Sequence, residues 1–154
     1  MLFRSVAVDV LPALEAFPDS IFVEDPALVF PEGAILLRPG AASRAGEVAH
    51  MAPELGRRFP QVLALGEGHA DGGDILTTPH AVMIGKSART DHVGAAALVG
   101  LLARLGRRGL VVDTPPGVLH FKTDCTLLDA ETVLATSRLA SSGVFAGKIG
   151  RAHV

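Results

Sequence analysis

Residues able to do chemistry fall in a few short runs. Asp71-Gly72-Gly73-Asp74 sets two carboxylates around a Gly-Gly pair, directly ahead of the apolar Ile75 and Leu76. Glycines let a backbone turn sharply and come close to a ligand, and a strand that follows fixes where the acids point. Asp19, Glu24 and Asp25 surround the apolar triplet Ile21-Phe22-Val23. In an extended chain Asp19, Ile21, Val23 and Asp25 would share one face. His69, Asp71, Asp74 and His120 make an acid-rich set of the kind that binds divalent metals. No H-E-x-x-H or comparable spacing accompanies them. Taken singly, Arg44 and Arg89 read as loop cations, His120 as a core histidine, and His69 and His80 as surface residues.

What positions these groups is a repeat. Asp25, Asp74 and Asp124 each lead into an apolar run, a turn, a second apolar run and then an arginine: Arg44, Arg89 or Arg138. The steps from Asp25 to Asp74 and from Asp74 to Asp124 are 49 and 50 residues. A fixed period of that size predicts propeller-like or solenoid units. Around it, period and turn residues predict strands at 3–10, 61–65, 110–113 and 118–122. They predict hairpins at 27–38, 75–84 and after Asp124. An amphipathic helix is expected over 47–59, with Leu55 inward and Glu47 outward. A second helix runs from an N-cap at Thr90 to Leu105, with Val93 and Leu98 inward and Gly106 ending it. The Ser/Gly-rich stretch after Arg138 shows no period. Alternating strands and helices give an α/β fold. Each polar loop precedes its hairpin, so several loops can converge on one central site.

At 154 residues the chain fits one domain, and 49% hydrophobic residues suffice for a core. A net charge of −2 leaves no basic field for nucleic acid. Cys125 is the single cysteine, which excludes an internal disulfide and fits a reducing compartment. The most apolar helix-like stretch, 94–103, is too short to cross a bilayer. The first four residues lack a signal-peptide apolar region. The expectation is a soluble, cytoplasmic protein with no nucleic-acid or membrane partner.

Five runs together resemble the dimethylarginine dimethylaminohydrolases, guanidine-modifying enzymes of the pentein fold. They are Pro18-Asp19-Ser20-Ile21-Phe22-Val23-Glu24-Asp25, Arg38-Pro39-Gly40 with Ser43-Arg44, Asp71-Gly72-Gly73-Asp74, Ser87-Ala88-Arg89-Thr90 and Leu119-His120-Phe121-Lys122. They follow the family's order over roughly residues 11–145. The resemblance implies a five-bladed α/β propeller, of which residues 1–147 would form about three ββαβ-like blades. Residues 148–154 break the pattern and read as a non-native tail.

The implied reaction is hydrolysis of a small molecule, methylated arginine, to citrulline and a methylamine, with no cofactor and no metal. By motif position Asp19, Glu24, Asp25, Arg44 and Arg89 correspond to substrate-binding residues. His120 corresponds to the general acid/base, and Asp71 to a carboxylate supporting it. A planar, permanently charged guanidinium suits carboxylates placed edge-on, and arginines suit the substrate's α-carboxylate. The family's nucleophile is a cysteine far downstream of the histidine. Cys125 does not match it and reads as a buried thiol. The chain is therefore expected to be an inactive fragment whose open strand edges favour association, a homodimer included. An arginine deiminase-like enzyme, a metal-dependent hydrolase and a non-catalytic amino-acid-binding module are the other readings.

Overall fold

The computed structural model describes residues 8–147 and, as backbone, 151–153. Most of the strand expected at 3–10 lies outside the described residues, and residues 8–10 are not strand. Three units share one ββαβ plan. In the first, β1 (Ala27–Phe30) pairs antiparallel with β2 (Gly33–Leu36). Helix α1 (Glu47–Arg58) then leads to β3 (Val62–Ala64), parallel to β2. The second repeats this with β4 (Ile75–Thr77), β5 (Val82–Lys86), α2 (His92–Arg104) and β6 (Gly109–Asp113). The third uses β7 (Cys125–Asp129), β8 (Thr132–Ala135), α3 (Ser137–Ser141) and β9 (Arg151–His153). The fold is thus mixed α/β with three small sheets, and the described strands close no barrel.

Burial explains why β5 reads as one apolar run. Val82 and Ile84 face a core shared with Ile35, Leu63, Leu98 and Leu102. Met83, one residue out of phase, faces a second core with Phe121, Val133, Leu139 and Phe145. A strand covered on both faces has no polar side to alternate with. The middle unit therefore links the two others through its own central strand.

Several local expectations change. The N-cap of α2 is Asp91, not Thr90; its carboxylate accepts from Gly94 N at 2.7 Å and from His69 N at 3.0 Å. Thr90 is fully buried instead. Glu47 is also buried rather than outward, because Arg44 neutralises it; Val93 is exposed. Residues 19–25 are not extended: Phe22 N donates to Asp19 O and Asp25 N to Phe22 O, a series of tight turns. Residues 118–122 form no strand but lead into a short 3-10 turn, Phe121–Thr123. Helix α3, capped by the Thr136 hydroxyl, runs into the aperiodic stretch after Arg138. A five-residue helix is too short to show a period.

Candidate functional site

The Asp71–Asp74 turn is the hub. On one side Gly72 N donates to Asp25 O at 3.0 Å. A Cβ on Gly72 would lie 2.0 Å from the Glu24 carbonyl oxygen. On the other side Phe121 N donates to Asp74 Oδ1 at 2.9 Å, and a Cβ on Gly73 would lie 2.8 Å from the His120 ring. The two glycines therefore serve close approach to the chain's own segments. That approach brings the acids of residues 19–25 against His120.

Above the hub is an open hollow of about 450 Å³, whose walls include Asp19, Glu24, Asp25, Arg89, His120 and Lys122. A larger, mostly apolar cavity of about 760 Å³ lies between residues 9–23 and α1, away from His120. It gathers Glu47 and Met51 but no histidine. Across the hollow's rim Lys122 Nζ pairs with Glu24 at 2.7 Å. Arg89 is set by a hydroxyl-capped turn: Ser87 Oγ accepts from Arg89 N at 2.9 Å and from Thr90 N at 3.3 Å. Its guanidinium has no hydrogen-bond or ion-pair partner among the described residues.

His120 is 19% exposed by side chain, and its Nδ1 is buried without a hydrogen-bond partner. That nitrogen faces Asp74 Oδ2 at 3.6 Å and Asp71 Oδ1 at 4.0 Å. The Asp74 carboxylate, helped by the charges of Asp71 and Asp25, holds the His120 pKa above its ordinary value despite partial burial. Burial pushes the Asp71 carboxyl up to about 6 against the Gly73 N–H that favours its charge. Such opposed environments are the usual setting of proton-transfer groups.

Arg44 lies beneath Asp25 and not on the wall of the hollow. Its Nε and Nη2 donate to the two Glu47 oxygens at 2.7 and 2.6 Å, Nη1 pairs with Asp25, and Nη2 also reaches Phe22 O at 3.1 Å. Glu47 above all, with Asp25, holds the arginine firmly protonated.

No protein-family model matches the chain. It is 38% identical over 142 residues to a dimethylarginine dimethylaminohydrolase of Pseudomonas aeruginosa, covering 91% of this chain and 56% of that one. A crystal structure of that enzyme, a cysteine-to-serine variant complexed with citrulline, superposes with a TM-score of 0.84 at 37% identity, over 91% of this chain and 55% of its own. A second dimethylarginine dimethylaminohydrolase structure, a histidine-to-glycine variant forming an adduct with S-methyl-L-thiocitrulline, gives 0.87 at 34% identity, over 96% and 59%. This chain is a homologue of the dimethylarginine dimethylaminohydrolases. It spans about half the length of the curated relatives it matches.

Of the residues that the dimethylargininase resemblance singled out, the fold gathers Asp19, Glu24, Asp25, Arg89 and His120 around one hollow. Asp71 lies behind the histidine, and Arg44 behind Asp25. Cys125 is buried in β7, its thiol pushed up to about 12 chiefly by burial, its Sγ donating to Phe121 O at 3.4 Å. Among the described residues no cluster of three or more His, Cys, Asp or Glu is arranged to hold a metal. None of the described helices is long and apolar enough to cross a membrane. Sequence reasoning treated Asp74 as a repeat landmark and a metal candidate, and it passed over Ser87 and Glu47. The spacing of Asp25, Asp74 and Asp124 from their arginines was the available signal.

Proposed function

We propose that this chain forms the substrate-holding and acid–base part of a dimethylargininase, which hydrolyses N(G)-methylated arginine to citrulline and a methylamine. The observation that carries this reading is the shared hollow, with carboxylates on its walls, an arginine there that is unpaired among the described residues, and a carboxylate-backed histidine beside them. Asp25, supported by Asp19 and Glu24, takes the edge of the guanidinium, whose planar donors match carboxylates. Arg44 holds Asp25 in place from beneath. Arg89 takes the α-carboxylate in a paired geometry. With Nδ1 turned to the carboxylates, His120 offers Nε2 to the hollow. It protonates the departing amine and then takes a proton from water. Asp71 assists from behind.

The reaction also requires a cysteine thiolate that adds to the guanidinium carbon and is later displaced by water. Cys125 does not line the hollow and is held as a thiol, so this chain does not supply that group there. The relatives' complexes with citrulline and with S-methyl-L-thiocitrulline support the substrate class. Residues 1–147 would act as one partial propeller domain, to whose third sheet Arg151–His153 add the strand β9. Calorimetric titration of the chain with N(G),N(G)-dimethyl-L-arginine should show saturable binding and no citrulline release. No heat of binding would overturn the substrate reading. Citrulline release would overturn the view that Cys125 is inert.

A further inference from the structure

We propose that Ser87 is the positioning residue for Arg89: its hydroxyl moors the turn that carries the arginine to the buried carboxylate of Asp74. In the outer units the matching arginines, Arg44 and Arg138, are held by their own guanidinium groups, each paired with an acid. The guanidinium of Arg89 has no such partner among the described residues, so its direction is set through its backbone.

That backbone is held from both sides. Ser87 Oγ accepts from Arg89 N at 2.9 Å and from Thr90 N at 3.3 Å, and Ser87 N donates to Thr90 O at 3.0 Å. Residues 87–90 thus close into one tight turn between β5 and α2. The Ser87 hydroxyl in turn donates to Asp74 Oδ2 at 2.6 Å, and Thr90 Oγ1 donates to the same oxygen at 2.7 Å. Asp74 is itself fully buried, and its other oxygen accepts from Phe121 N at 2.9 Å. Both ends of the turn therefore rest on one immobile acceptor. Thr90 Oγ1 also serves the hub, accepting from Asp71 N at 3.0 Å, whereas the Ser87 hydroxyl touches the Arg89 amide directly. On the opposite side a Cβ on Gly40 would lie 2.6 Å from Arg89 O and 3.0 Å from its Cα. A paired arginine–carboxylate contact needs its fork placed to within about 0.5 Å, and a long side chain meets that only from a fixed base.

This rests on reading Arg89 as the partner of the substrate's α-carboxylate, yet one arm of the test needs no ligand. Amide hydrogen exchange should show Arg89 N protected in the unaltered chain and at least about tenfold faster in Ser87→Ala. In calorimetry Ser87→Ala should bind N(G),N(G)-dimethyl-L-arginine about fivefold more weakly, the scale of one lost hydrogen bond. N(G),N(G)-dimethylagmatine, the same molecule without the carboxylate, should bind both proteins alike. In an Arg89→Ala background, Ser87→Ala should weaken dimethylarginine no further, because the two act as one unit. Should Ser87→Ala not fold, Gly40→Ala decides from the other side of the turn: it should weaken dimethylarginine and spare dimethylagmatine. Equal weakening of both ligands, unchanged binding of dimethylarginine, or an unprotected Arg89 amide in the unaltered chain overturns the assignment. An unaltered chain that binds no dimethylarginine sinks the substrate reading, and the exchange of Arg89 N then decides this one alone.

Discussion

The outer units and the middle unit use the same residues for different ends. In the first unit Asp25 pairs with Arg44, and in the third Asp124 pairs with Arg138. In the second, Asp74 takes the hydroxyls of Ser87 and Thr90, and Arg89 is left without a partner among the described residues. Exchanging an arginine for two hydroxyls leaves one acid able to face His120 and one arginine able to face the hollow. A structural repeat can thus hold a recognition site where a single unit departs from the shared pairing.

Stability measurements can break this comparison. Arg44→Ala should be the most damaging change. It leaves Asp25 and Glu47 buried without their cation, at a cost of about 3–5 kcal/mol in urea unfolding. Gly73→Ala comes next, at about 1–3 kcal/mol, because its Cβ would overlap the His120 ring 2.8 Å away. It should also move the His120 titration. Arg138→Ala removes a half-exposed partner and should cost less than Gly73→Ala. Arg89→Ala should change stability by no more than about 0.5 kcal/mol. If Arg89→Ala proves as costly as Arg44→Ala, the middle unit is paired after all and the contrast fails.

The pH dependence sharpens the same contrast. Asp71 rises from its ordinary 3.8 to about 6 on folding, so the folded state holds the proton more tightly. That contribution is complete below about pH 4 and gone by about pH 6. His120 is also raised, so its contribution is full below its ordinary value of 6.5 and is lost as pH climbs through the folded midpoint. Both make stability fall with rising pH. Asp124 is depressed by Arg138, so the third unit loses stability as pH falls. Urea midpoints across pH 3 to 8 should therefore show an acid limb that flattens in Arg138→Ala. The limb at higher pH should flatten in His120→Gln.

Much of this was legible in the residues. The period at Asp25, Asp74 and Asp124 anticipated three hairpins in their observed places, because apolar runs between turns are local signals. The motif runs anticipated which side chains meet, since Asp25, Asp71 and His120 do converge. What stayed hidden was partner choice. Glu47 looked solvated on a helical wheel, because nothing local shows that Arg44 reaches back to it from the preceding turn. Thr90 looked like an N-cap, and only the tertiary fold brings Asp74 to its hydroxyl.

The most direct test is ligand binding by Arg89→Ala, a variant expected to stay fully folded. Its affinity for N(G),N(G)-dimethyl-L-arginine should fall at least about tenfold, the usual scale for losing a charge-assisted pair. Its affinity for methylguanidine, which has no carboxylate, should match that of the unaltered chain. Equal affinity of the two proteins for dimethylarginine would contradict the picture of Arg89 as the arginine released for recognition.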